Sequence, residues 1–68
     1  MIVRYFNDTD TALLEFSDSE VTETREISEN IYIDLDKDGN PVSMTLEHAR
    51  LTAHFPDISY QQIEKSIA

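Results

Sequence analysis

Cysteine and tryptophan are absent from these 68 residues, glycine occurs once and proline twice. Without cysteine there are no disulfides and no thiolate metal sites, and the redox compartment is unconstrained beyond permitting the cytosol. With a single glycine there is no glycine-rich loop to cradle a phosphate. No apolar run approaches ~18 residues, and the opening MIVRYFND lacks the basic-then-apolar order of a secretory signal, so the sequence predicts a cytoplasmic protein without a membrane role.

Basic residues are scarce too: five Lys and Arg stand against fourteen Asp and Glu, for a net charge of −9. Every unit of that charge lies between Asp8 and Asp38, where eleven acids are opposed only by Arg25 and Lys37. The flanking acids (Glu47, Asp57, Glu64) and bases (Arg4, Arg50, Lys65) cancel. A region this acidic repels nucleic acid and anionic membrane and attracts basic surfaces. Five bases with no basic stripe also exclude a DNA-reading role.

What is present is enough apolar content, 40%, to exclude disorder. The length predicts a single domain, 1–68, with one modest core. A core that small barely offsets the conformational entropy of folding, and with no disulfide to help, association with a second chain is expected.

Residues 1–47 alternate with a period of two and predict about five strands: Ile2 to Phe6, Thr11 to Ser17, Val21 to Ile27, Asn30 to Asp36, and a last strand carrying Val42, Met44 and Leu46. The third is polar enough to be an edge. Asp38-Gly39-Asn40 marks a tight hairpin, with Gly39 supplying a positive φ. From Glu47 to His54 the period becomes helical and Pro56 ends the segment. Ser59 with Gln62 reads as a capping box and Ile58 with Ile63 as a hydrophobic staple, so a second helix is predicted, with 48–68 a helical C-terminal part. The predicted fold is α+β: an antiparallel β-meander with one or two C-terminal helices packed on one face. The helix-facing set is Leu14, Phe16, Ile31, Ile33, Leu35, Val42, Met44 and Leu46, closed by Ala49, Ala53, Phe55 and Ile63.

Several stretches resemble a known family. Val3-Arg4-Tyr5, Asp10-Thr11-Ala12-Leu13-Leu14-Glu15-Phe16-Ser17, Glu23 to Ser28, Ile31 to Val42 and Leu46-Glu47-His48-Ala49 follow, in order and spacing, the pattern of the bacterial domain of unknown function 2283 family. The similarity runs over roughly residues 2 to 50. It departs at Leu14, where the family often has an extra aliphatic after an aromatic, and at Arg50, and it leaves the tail from Leu51 unexplained. The resemblance implies a small meander with a C-terminal helix and no catalytic residues. It further implies an antitoxin role beside a small basic, toxin-like protein of RelE-type fold, and it carries over no site residues.

The residues offer little chemistry of their own. Asp34-x-Asp36-x-Asp38-Gly39 copies the first half of a calcium loop, but Thr45 stands where the bidentate Glu belongs and no helix enters the loop. The hairpin explains the motif better. His48 and His54 would lie about 240° apart around a helix and cannot share a metal. No nucleophile or paired-carboxylate pattern is present, so no enzyme, cofactor or metal is predicted.

Partner binding is what the pattern supports. With Leu14, Phe16, Ile31 and Ile33 facing the helices, Leu13 and Tyr32 point to the opposite face, joined by Tyr5 or Phe6 according to register. An apolar strip bordered by acids suits a basic protein. The predicted partner-binding residues are Tyr5, Leu13, Glu15, Tyr32, Asp34 and Asp36, with Tyr60, Ile63 and Ile67 of the second helix as another candidate surface. The leading reading is an antitoxin-like module that masks a small basic protein. The alternative is a self-associating homodimer, opposed by like charge and therefore strengthened by salt.

Overall fold

The period-two stretches form β1 (Ile2–Phe6), β2 (Thr11–Glu15), β3 (Glu23–Ser28), β4 (Ile31–Leu35) and β5 (Pro41–Glu47), followed by the helix α1 (Ala49–Ala53). These come from a computed structural model that describes residues 1–65. The strands make one antiparallel sheet in the order β1-β2-β5-β4-β3.

That order is not a sequential meander. β5 occupies the centre, between β2 and β4, and β3 lies at the far edge. The connection from Phe16 to Thr22 therefore crosses the ends of β5 and β4. Three strand spacings of ~4.8 Å come to roughly 14 Å, well within the reach of seven extended residues. Hydrogen bonds hold this crossing down: Phe16 and Ser17 donate their N–H groups to the Val42 carbonyl, and Thr22 donates to that of Leu35. The physical reason for a central β5 is its content. Val42, Ser43 and Leu46 are buried on it and Met44 and Thr45 are half-buried, the coverage that a strand gains from a neighbour on each side.

The hairpin between β4 and β5 forms as the sequence predicts. Gly39 has φ +82° and donates to the Asp36 carbonyl at 3.0 Å, while Asp36 Oδ1 accepts the N–H groups of Asp38 and Asn40, both at 2.9 Å. Side-chain capping of its own turn is the ordinary work of an aspartate here.

One face of the sheet carries the core. Ala12 and Ala49 are fully buried, and with Leu46 and Phe55 they form a cluster against which Val3, Tyr5, Leu14, Ile31, Met44 and Ala53 pack. Two alanines opposite one another let α1 lie close on β2 and β5. The helix is a short one, bracketed by His48 and His54 in left-handed conformation (φ 52° and 59°). It covers only one end of the sheet, so Val3, Leu14, Ile33 and Met44 remain half-buried and Phe16 is exposed.

Two sequence expectations fail in the tail. From Asp57 to Lys65 there is no helix, and Ile63, expected to close the core, is 74% exposed. Ile58 and Tyr60 are exposed as well, so the staple has nothing to close against. A capping box supplies at most two hydrogen bonds, and a segment this short is not helical without an apolar face to pack on. Ile67 lies outside the described residues.

Candidate functional site

The strand registers decide which side chains share the sheet's other face, the one without a helix. Arg4 pairs with Leu13, Leu13 with Thr45, Thr45 with Tyr32, and Tyr32 with Glu26, giving one row across all five strands. The next row runs Ile2, Glu15, Ser43, Asp34 and Thr24. On the other side Phe6 pairs with Thr11, and Thr11 with Glu47. Leu13 and Tyr32 thus stand on either side of Thr45, all three half-buried. Glu15 and Asp34 border them on one flank, Glu47 on the other, and Glu26 closes the row at the β3 edge.

Among the described residues the strand registers give this face four carboxylates and one base. Arg4 Nε lies 3.2 Å from Glu15 Oε2, so the base is engaged within the face itself. Asp34 is fixed by two hydroxyls, Thr24 Oγ1 donating at 2.5 Å and Ser43 Oγ at 2.6 Å. Those bonds hold its carboxylate at a defined place on the face. Tyr32 feels its surroundings: partial burial first, and then the charges of Glu47, Glu26 and Glu29, push its phenol above the ordinary range. Its hydroxyl donates a long bond of 3.4 Å to the Glu29 carbonyl.

Of the residues predicted to bind a partner, Leu13, Glu15, Tyr32 and Asp34 come together on this face. Tyr5 does not. The β1–β2 register sets it opposite Ala12, on the helix side, where its ring stacks on Phe55 with centroids 5.6 Å apart. Its hydroxyl donates to Asp10 Oδ1 at 2.6 Å. Phe6 and Ile2 hold the face positions instead. Asp36 is also removed from the set, because its side chain is turned back into the hairpin. Tyr60 and Ile63 are exposed on a tail without regular structure.

Thr45, Glu26 and Glu47 complete the face and were not singled out from sequence. Alternation with Met44 and Leu46 gives the direction of Thr45. Only the strand order shows that it sits between Leu13 and Tyr32. Among the described residues no three His, Asp or Glu side chains converge as metal ligands. Asp34 and Asp36 in particular diverge, one on the sheet and one in the turn.

A family model for a protein of unknown function, DUF2283, matches residues 2–50. The chain belongs to this family. The match takes in all five strands and the first two residues of α1, and the rest of the helix and the exposed tail lie beyond it. No curated protein and no solved structure matches the chain. None of the described helices is long and apolar enough to cross a membrane.

Proposed function

We propose that this chain is a protein-binding module that covers a small basic protein, acting as an antitoxin toward a RelE-type toxin by stoichiometric masking. The observation that carries this reading is the Leu13–Thr45–Tyr32 row, open to solvent and bordered by Glu15, Glu26, Asp34 and Glu47. Apolar side chains in the middle supply burial on contact, and the carboxylates around them select a cationic partner and speed its approach. Among the described residues Arg4 is the one base on this face, and it is already paired with Glu15, so the field of the face remains negative. The turns add Asp8, Asp18, Glu20 and Asp38, which extend the same sign beyond the face.

The test is co-expression with the product of the neighbouring gene, followed by affinity purification at low and high salt. A basic protein that co-purifies one to one, is released by salt, and is lost on Leu13→Asp or Tyr32→Asp supports the reading. A partner retained by both variants contradicts the placement of the interface. A neighbour that never binds contradicts the function.

A further inference from the structure

The two edges of the sheet differ in kind. β3, at one edge, carries Glu23, Arg25 and Glu26, with Arg25 paired to Glu23, and a bulge interrupts its register between Glu26 and Ser28. Charge and irregularity of that sort discourage a further strand. β1, at the other edge, has no proline and no bulge, and its five residues pair with β2 in unbroken register. Its one charge, Arg4, is held by Glu15. Beyond the ladder with β2, no backbone group of Ile2–Phe6 has a hydrogen-bond partner among the described residues. Apolar surface gathers at the same edge, where Met1 is 79%, Ile2 52% and Phe6 45% exposed.

We infer that β1 is an assembly edge: it pairs antiparallel with β1 of a second copy, about a two-fold axis perpendicular to the sheet, to make one continuous sheet. The charge distribution selects a second copy as the occupant. The first seven residues contain no acid in a chain of net charge −9, so β1 offers a basic protein little to bind. Two copies meeting there bring no carboxylates from β1 together, whereas meeting at the Leu13–Tyr32 face would oppose acid to acid. An isologous antiparallel pair sets residues of the same face opposite each other. A centre on Arg4 would place two guanidiniums face to face, which is unfavourable. A centre on Val3 or Tyr5 instead puts Arg4 across from Ile2 or Phe6, and its stem or cation rests on an apolar or aromatic side chain. Strand addition of this kind supplies main-chain hydrogen bonds, and the exposed Ile2 and Phe6 supply burial.

Pairing along this edge extends the sheet and leaves the Leu13–Thr45–Tyr32 row uncovered, although Ile2 and Phe6 stand on the same face as that row. The test is sedimentation across a concentration series at two salt levels, with amide hydrogen exchange followed by NMR on the same samples. A dimer strengthened by salt is expected, with slow exchange at those β1 amides that point away from β2. Ile2→Lys and Phe6→Lys, both at exposed positions, should weaken it by about tenfold or more, since each change counts twice. Ile27→Lys, at the β3 edge, should leave it unchanged, as should Leu13→Asp. If a variant fails to fold, the exchange pattern of the unaltered chain decides. A chain that stays monomeric at millimolar concentration, or a dimer whose outward β1 amides exchange freely, overturns the proposal.

Discussion

Tyr5 donates a 2.6 Å hydrogen bond to Asp10 Oδ1, the same oxygen that accepts the backbone N–H of Arg50 at 3.1 Å. Asp10 itself has φ +55°, and its carbonyl accepts the N–H of Ala49 at 2.9 Å. One aspartate in the β1–β2 turn therefore joins the first strand to the start of α1. Arg50 adds a bond to Asn7 Oδ1 at 2.5 Å. The hydrogen bond from Tyr5, followed by that from the Arg50 backbone and the Arg50 charge, holds the Asp10 carboxyl below the usual aspartate range.

Asp10→Ala should lower Tm by roughly 5 °C, because the Tyr5 hydroxyl and the Arg50 N–H lose their shared acceptor. Asp10→Asn, which keeps an acceptor and tolerates the left-handed backbone, should lose less. The depressed value also fixes a pH dependence. Above the ordinary aspartate range, ~3.9, both states are ionised and the contribution is complete. As pH falls from there through the depressed folded value, the unfolded chain takes up its proton first and the contribution is lost. Thermal melts at successive acid pH values should therefore converge for Asp10→Asn and the unaltered chain.

The fully buried pair Ala12 and Ala49 sets the distance between helix and sheet. Ala49→Leu should destabilise by about 1–3 kcal/mol, since the added atoms must push α1 off β2 and β5. Urea unfolding measures it. Leu51, on the same helix, is 84% exposed. Leu51→Ala should accordingly fall within ±0.5 kcal/mol.

Gly39 has φ +82°, and a Cβ built on it meets nothing within 4 Å. The cost of Gly39→Ala is then conformational alone, about 1 kcal/mol. Gly39→Asn should recover most of it, because asparagine accepts the left-handed region. Equal losses for both variants in urea melts would place the cost elsewhere.

Tyr32 should titrate above the ordinary phenol value of ~10, as read from tyrosinate absorbance. Glu47→Gln or Glu26→Gln should each bring it part of the way down. Burial is the largest cause of the shift, so it should stay raised in both variants. The favoured form is the neutral phenol. Its contribution to stability is complete below the ordinary value and is lost as pH rises through the raised one.

Much of the sheet is legible in the sequence. Ile31, Ile33 and Leu35 alternate with Tyr32 and Asp34, and that alternation alone sets the two faces of β4. Leu13 and Tyr32 fall on the same face for the same reason. Strand order is another matter, because alternation says nothing of which strand lies beside which. The central place of β5, and with it the position of Thr45 between Leu13 and Tyr32, follows from long-range pairing. Tyr5 illustrates the related limit of register. A shift of one residue exchanges it with Phe6, and only the pairing with Ala12 decides between them. The tail errs in the opposite direction: Ser59 and Gln62 give a local helix signal that no packing supports.

The central claim is that the face built on Leu13, Thr45 and Tyr32 receives a cationic protein. The direct measurement is an NMR titration of the labelled chain with the product of the neighbouring gene, repeated at two salt concentrations. Perturbations confined to Leu13, Glu15, Glu26, Tyr32, Asp34, Thr45 and Glu47, with affinity falling as salt rises, are the predicted result. Perturbations gathered instead on the helix side, at Val3, Leu14, Ile33 and Met44, or affinity indifferent to salt, would contradict it.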